Sequence, residues 1–200
     1  MIPPTIERRF ASVEIRAAGD GKILTGRAVE YNQQSELLYG SFREEIAPGT
    51  FDASLASGRD VYCSIDHDPN RLLGRLSANT LTLLPDERGI GVECPIAGYS
   101  YAADLVIAIN RRDLRGMSFI FDVLDDRWEK RNGVSHRTVL KADLYEVSFV
   151  FSPAYQETSA GLRMSFPVAG EQRAIERSRG LDWKEEHERC RRRLRLAECV

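Results

Sequence analysis

The stretch RWEKRNGVSHRTVLKA, residues 127–142, gives the clearest indication of the fold in this chain of 200 residues. Asn132 and Gly133 lie between two runs that have the composition of strands, Arg127–Lys130 and His136–Ala142. Both turn residues tolerate a positive φ, as a two-residue β-hairpin requires. The stretch therefore predicts two antiparallel strands joined by a tight turn.

Similar short runs, separated by turn residues, fill most of the chain before residue 165. They are predicted at Arg9–Ile15, Ile23–Val29, Val61–Ile65, Leu81–Leu84, Ile90–Cys94, Gly116–Asp122 and Tyr145–Phe151. Many short strands with turn residues between them favour a β-barrel or a β-sandwich.

Two short helices are predicted between the strands. Thr50 is suited to cap the first helix and Gly58 to end it. The second begins near residue 100 and carries Leu105 and Ile109 on one apolar stripe. The fold class is therefore mainly β with a few helices (α+β).

The composition restricts the possible environments and partners. A hydrophobic content of 42% and a net charge of −2 suit one domain with its own core and predict no general attraction to nucleic acid or membrane surfaces. No apolar run is long enough to span a bilayer, and the start of the chain does not have the pattern of a signal peptide. We expect a cytoplasmic protein that is not secreted.

The four cysteines and the end of the chain need separate treatment. Cys63, Cys94, Cys190 and Cys199 have neither CxxC spacing nor flanking histidine pairs, so we expect no metal and no other cofactor. After residue 167 the composition becomes rich in Glu and Arg. We therefore divide the chain into a body, residues 1–167, and a charged tail, residues 168–200, which is expected to be a solvated helix or disordered.

Three side chains on predicted strands offer a coherent chemistry. His67 follows the strand Val61–Ile65 at the point where it meets a loop, and Ser118 lies in RGMSFIF, residues 115–121. Glu146 lies among apolar neighbours in LYEVSFV, residues 144–150. A serine, a histidine and a carboxylate are the three groups that an acyl-transfer enzyme needs as nucleophile, base and orienting acid.

The carboxylate has two candidates. Strict alternation predicts that Glu146 shares a strand face with Leu144 and Ser148, whereas Asp143 points the other way. Glu146 could instead form an ion pair with one of the many arginines. Spacing alone does not choose between them.

Five blocks of sequence occur in a definite order: GRAVEY at 26–31, EEIAPGTF at 44–51, DHD at 66–68 followed by LGR at 73–75, RGMSFIF at 115–121, and LYEVSFVFSPA at 144–154. Together they resemble the prohead (capsid maturation) serine proteases of tailed bacteriophages, distant relatives of the herpesvirus assemblin proteases. The resemblance covers nearly the whole body and does not extend into the tail.

This resemblance implies a fold and a set of site residues. The fold would be a closed or partly closed antiparallel β-barrel of the herpesvirus-protease type. His67 would be the base, Ser118 the nucleophile and Glu146 the third member of the triad, with Asp143 as the fallback.

The resemblance also implies partners and a location. The substrates would be the scaffold segment of the major capsid protein and the protease itself, and a second copy of the chain is a possible partner. The site of action would be the assembling prohead in the host cytoplasm.

Two other functions are compatible with the sequence. The first is a catalytically inactive assembly or scaffold-binding module that keeps the fold in order to bind capsid protein. The second is a small β-barrel that binds nucleic acid through the arginine-rich tail, for which the composition gives little support. Neither accounts for the ordered His, Ser and Glu blocks.

Overall fold

A computed structural model of the chain describes residues 6–11, 15–18, 22–96, 98–151 and 170–180, with only the backbone described at residue 102. Ten strands are present in these ranges: β1 Glu7–Ala11, β2 Arg16–Ala18, β3 Ile23–Glu30, β4 Phe42–Ile46, β5 Tyr62–Ile65, β6 Asp68–Arg75, β7 Thr82–Asp86, β8 Gly89–Pro95, β9 Gly116–Arg131 and β10 Val134–Val150. The helices are α1 Asp52–Ala56, α2 Ala102–Asn110 and α3 at 170–180, and a 3₁₀ turn covers Leu76–Ala78.

The strands form two sheets. The larger has the order β1-β9-β10-β5-β6, with β4 also paired to β10, and the smaller has the order β2-β3-β8-β7. The mainly β class with a few helices is confirmed. The pairing is antiparallel, as the implied barrel requires, except that β10 pairs with both β4 and β5 in parallel. Neither sheet closes on itself, so the predicted barrel is not confirmed.

The predicted hairpin is confirmed, but its strands are longer than predicted. Asn132 has φ 49° and Gly133 has φ 80°, as the two-residue turn requires. β9 contains two of the predicted runs because it continues through its exposed residues Leu124 and Asp125 instead of ending there. β10 contains His136–Ala142 and all of Tyr145–Phe151 except Phe151. Backbone pairing with β10 maintains β9 where its side chains face solvent.

Some predicted boundaries were wrong. The run predicted as one strand at Arg9–Ile15 belongs partly to β1, which ends at Ala11, and residues 12–14 lie outside the described ranges. The strands β2, β4 and β6 were not predicted. Thr50 does not cap α1, since its hydroxyl donates to the carbonyls of Ala47 at 2.7 Å and Val139 at 3.0 Å.

The main core lies between the two sheets. Leu24 and Ile90 of the smaller sheet belong to it, together with Phe121 and Phe149 of the larger one, and all four are fully buried. Phe51, just before α1, packs edge-on against Phe121 with 6.2 Å between ring centroids. The segment of β9 that carries Ser118 is buried on both faces, so a polar group there needs partners within the protein.

The described part of the tail is not a solvated helix. In α3 the side chains of Glu171, Ala174 and Ser178 are buried against the body. The Glu171 carboxylate accepts a hydrogen bond from the backbone N–H of Arg8, and Arg177 forms an ion pair of 2.6 Å with Asp126. Residues 170–180 are helical, and one face of the helix packs on the body instead of facing solvent because the buried positions recur at helical spacing. Residues 181–200 lie outside the described ranges.

A buried group of charges lies beside this helix. Arg9 bonds Glu7 at 2.6 Å and Glu44 at 2.5 Å, and Arg137 bonds the same two carboxylates at 2.7 and 3.0 Å. Arg137 also bonds Asp126 at 2.9 Å. The opposite charges compensate one another where water is excluded.

None of the helices in the described ranges has the length and apolarity needed to cross a membrane.

Candidate active site

Three serines lie side by side across the larger sheet, near the start of β9 and the end of β10. Ser118 on β9 pairs in register with Ser148 on β10, which pairs with Ser64 on β5. Directly paired residues point their side chains to the same face of a sheet. All three serines are fully buried, so their hydroxyls form a polar row inside the protein.

His67 reaches this row from the turn between β5 and β6. Asp66 and His67 are the two turn residues and have φ values of 51° and 58°, as a tight hairpin turn requires. A left-handed conformation costs a non-glycine residue roughly 1–2 kcal/mol. Hydrogen bonds hold the turn in place: the Asp66 N–H donates to the Phe149 carbonyl at 3.0 Å, and the His67 N–H donates to Ser148 Oγ at 3.0 Å.

The imidazole and the hydroxyl meet directly. His67 Nε2 lies 2.6 Å from Ser118 Oγ, although the two residues are 51 positions apart in the chain. This distance is within the range expected between a nucleophile and its base. The His67 side chain is 12% exposed and Ser118 has no exposed surface, so the pair is shielded from solvent.

Glu146 lies on the opposite side of the imidazole from Ser118. Its Oε1 is 3.1 Å from His67 Nδ1, and the residue is only 1% exposed. The separation is that of a hydrogen bond, but the Nδ1–H direction is not well aligned with Oε1, and Nδ1 has no aligned partner elsewhere in the described ranges. Catalytic hydrogen bonds are often poorly aligned in the absence of substrate. The Ser64 hydroxyl also donates to Oε1.

Two neighbouring side chains have altered acidity. Burial, followed by the charge of Glu146 and a hydrogen bond to it, raises the pKa of the Tyr62 phenol. Burial also raises the pKa of the Cys63 thiol well above its ordinary value, so Cys63 remains a thiol and is not a competing nucleophile.

Asp143, the alternative third member, has a different partner. Its carboxylate accepts a hydrogen bond of 2.8 Å from Arg59. The Arg59 guanidinium also lies over the Tyr145 ring, 4.7 Å from its centroid. In the described part of the chain, Glu146 is the carboxylate that the structure brings to His67, and Asp143 is not.

The predicted alternation around Glu146 was wrong in one respect. The pairing of β10 with β9 shifts between Leu144, which faces Phe121, and Glu146, which faces Ile120. Because Phe121 and Ile120 are consecutive, they point to opposite faces, and so do Leu144 and Glu146. A β-bulge at Tyr145 causes this shift. It allows Leu144 to enter the core while Glu146 faces the histidine.

Sequence reasoning did not identify Ser64 or Ser148 as members of the site. Their only indication was that each is a hydroxyl in an apolar strand, where burial demands a hydrogen-bond partner. Within the described ranges, no group of three or more His, Cys, Asp or Glu side chains could hold a metal ion. The arrangement around His67 can activate a hydroxyl nucleophile by general-base catalysis.

Comparison with known families agrees with this chemistry. A family model described as Caudovirus prohead serine protease matches residues 11–168. The match covers well over half of the chain, which therefore belongs to the caudovirus prohead serine protease family and is a serine peptidase by membership. A search of the curated proteins and a search of the solved structures found no match. The more distant relation to the herpesvirus assemblin proteases stays a prediction.

Proposed function

We propose that the chain is the prohead endopeptidase that cleaves the scaffold segment of the major capsid protein, and also itself, with Ser118, His67 and Glu146 as its triad. The observation that carries the proposal is the 2.6 Å separation of His67 Nε2 and Ser118 Oγ in a member of a serine protease family. The position of Glu146 beside Nδ1 supports it further.

The acylation step follows from this geometry. Ser118 Oγ attacks the carbonyl carbon of the scissile peptide bond while its proton passes to His67 Nε2. The imidazolium that forms carries its second proton on Nδ1, beside the Glu146 carboxylate, which stabilises the positive charge. As the tetrahedral intermediate collapses, Nε2 gives its proton to the leaving amine. The first product leaves, and the acyl group remains on Ser118.

Deacylation repeats the step with water. His67 Nε2 removes a proton from the water that attacks the ester, and the proton returns to Ser118 Oγ when the ester bond breaks. The second product leaves as a carboxylic acid, which ionises at neutral pH. No cofactor takes part in this proposal.

The shielding of Ser118 suggests when the reaction occurs. A fully buried nucleophile cannot accept a peptide carbonyl until the groups covering it move. Low activity before assembly suits a protease whose early action would destroy the scaffold. Inside an assembled shell in the host cytoplasm, confinement raises the effective concentration of substrate, and loss of the cleaved scaffold peptides makes maturation irreversible.

Co-expression with the major capsid protein of the same phage tests the proposal. Mass spectrometry is expected to show shortened capsid subunits with the wild-type chain and full-length subunits with Ser118→Ala or His67→Ala. Ser54→Ala is the matched control, because Ser54 is also a buried serine but lies on α1. Identical processing with Ser118→Ala and the wild type would contradict the proposal and favour an inactive assembly module.

A further inference from the structure

Two buried hydroxyls connect the backbone of His67 to the carboxylate of Glu146. Ser148 Oγ is 3.0 Å from the His67 backbone nitrogen and 3.1 Å from Ser64 Oγ. Ser64 Oγ in turn contacts Glu146 Oε1. These contacts involve groups on the β5–β6 turn, on β10 and on β5, so three elements meet at the two hydroxyls.

The direction of each hydrogen bond can be deduced from the groups at the two ends. An ionised carboxylate only accepts, so the single proton of Ser64 is donated to Glu146. A backbone N–H only donates, so Ser148 accepts from His67 and keeps its own proton for another partner. That partner is Ser64, whose Oγ lies at 3.1 Å and whose carbonyl oxygen lies at 3.2 Å.

The result is a ring of contacts with one direction, in which the last contact, between Nδ1 and Oε1, is not an aligned hydrogen bond. It runs from the His67 N–H through Ser148 and Ser64 to Glu146 Oε1, and Oε1 faces Nδ1 of the same histidine. A proton on Nδ1 would be attracted to the carboxylate at 3.1 Å, whereas a bare Nδ1 would place its lone pair against it. The ring therefore favours the tautomer in which Nε2 is bare and able to accept the Ser118 proton.

We infer that Ser64 and Ser148 are positioning residues for the triad, an inference that rests on the proposed function for its catalytic part. Ser148 holds the His67 backbone in its left-handed conformation, and Ser64 fixes the carboxylate oxygen that faces the ring. Neither touches the reacting atoms. Both act through His67 and Glu146.

The test compares Ser64→Ala and Ser148→Ala with Ser54→Ala. Ser54 is a matched control because its buried hydroxyl also accepts one backbone N–H, that of Leu144 at 3.0 Å, outside the ring. We expect Ser64→Ala to lower the rate of capsid protein cleavage by about 10- to 100-fold, the loss expected for a hydrogen bond to a charged group. We expect Ser148→Ala to lower it by about 5- to 100-fold, because the His67 backbone N–H loses its acceptor. The control is expected to cleave at the wild-type rate.

A second readout does not depend on proteolysis. The chain contains three histidines, so ¹⁵N-histidine spectra can report the His67 tautomer directly. We expect the Nδ1–H tautomer in the wild type and in Ser54→Ala, and a mixture of tautomers in both ring variants. In a Glu146→Gln background the further loss of the Ser64 hydroxyl is expected to reduce cleavage by less than threefold, since the carboxylate that it holds is absent.

The outcomes separate the two hypotheses. If both ring variants match Ser54→Ala in tautomer and in cleavage, the inference is overturned while the proposed function stands. If the wild-type chain does not cleave capsid protein but the tautomer responds to both substitutions, the proposed function fails and the positioning of His67 by the two hydroxyls is supported.

Discussion

Arg59 holds the carboxylate of Asp143 at 2.8 Å, and this ion pair leaves Glu146 as the acid that faces His67 in the described part of the chain. The two acids are only three positions apart on β10. The β-bulge at Tyr145 pairs Asp143 with Asp122 and Glu146 with Ile120, so the two acids share a face of β10 but lie at different positions along it. The choice that spacing left open therefore becomes a testable difference between two neighbouring carboxylates.

Glu146→Gln is expected to slow cleavage of the capsid protein by about 10³- to 10⁴-fold, because an amide can neither stabilise the imidazolium nor favour the required tautomer. Asp143→Asn is expected to change the rate by less than threefold, since Asp143 does not contact the ring. Cleavage rates from timed co-expression samples measure both. A reversed order, with Asp143→Asn the damaging change, would assign the third role to Asp143.

The burial of Ser118 predicts slow chemical modification of the isolated chain. A fluorophosphonate reacts with a serine activated by a histidine, but its phosphorus must reach an oxygen that has no exposed surface. We expect labelling of Ser118 to be at least tenfold slower in the isolated chain than in proheads that contain it. Intact mass spectrometry measures the labelling, with Ser118→Ala as the blank. Equally fast labelling in both samples would remove burial as the cause of delayed activity.

Local structure was predictable from the sequence where residues adjacent in the chain determine it. The turn at Asn132 and Gly133 depends only on two adjacent residues that accept a positive φ. The strand β4 was not predictable in this way, because its pairing partner on β10 lies 93 positions away. Its central residue Glu44 is buried only because Arg9 and Arg137 neutralise it there.

The same distinction applies to the candidate site. Residue type and block order were enough to select His67, Ser118 and Glu146 as candidates. The roles of Ser64 and Ser148 depend on cross-strand register, which brings residues 84 positions apart into hydrogen-bonding distance. The opposite orientations of Leu144 and Glu146 depend on a bulge that strict alternation does not anticipate.

The packing of α3 predicts that part of the tail contributes to stability. Ala174 is 3% exposed and packs with Leu38 and Phe42 of the body. Ala174→Asp would bury an unpaired charge in this cluster, and we expect it to lower the free energy of unfolding by about 2–4 kcal/mol or to release the helix. Thermal unfolding and limited proteolysis measure the change.

The exposed neighbour Gln172 supplies the control for this prediction. Gln172→Asp introduces the same charge two positions away in the chain, on the solvent side, and it is expected to leave the unfolding temperature within about 1 °C of the wild type. Equal effects of the two substitutions would show that α3 does not pack on the body in solution.

The buried charges around Glu7 predict a loss of stability in acid. Burial alone would raise the pKa of Glu7, but Arg9 and Arg137 together lower it below its ordinary value of 4.5. A depressed pKa means that the unfolded chain binds the proton more readily than the folded one. The contribution of Glu7 to stability is therefore present above about pH 4.5 and is lost as the pH falls through the lower, folded-state pKa.

Glu7→Gln is expected to remove this part of the pH dependence. It is also expected to cost about 3–5 kcal/mol at neutral pH, because it deprives two buried guanidiniums of a counter-charge. Urea unfolding between pH 3 and 7 measures both effects. Glu36→Gln is the control, since the Glu36 side chain is 72% exposed and its contact with Arg43 is a surface ion pair of 3.7 Å. An unchanged acid limb in Glu7→Gln would mean that other buried carboxylates carry the acid sensitivity.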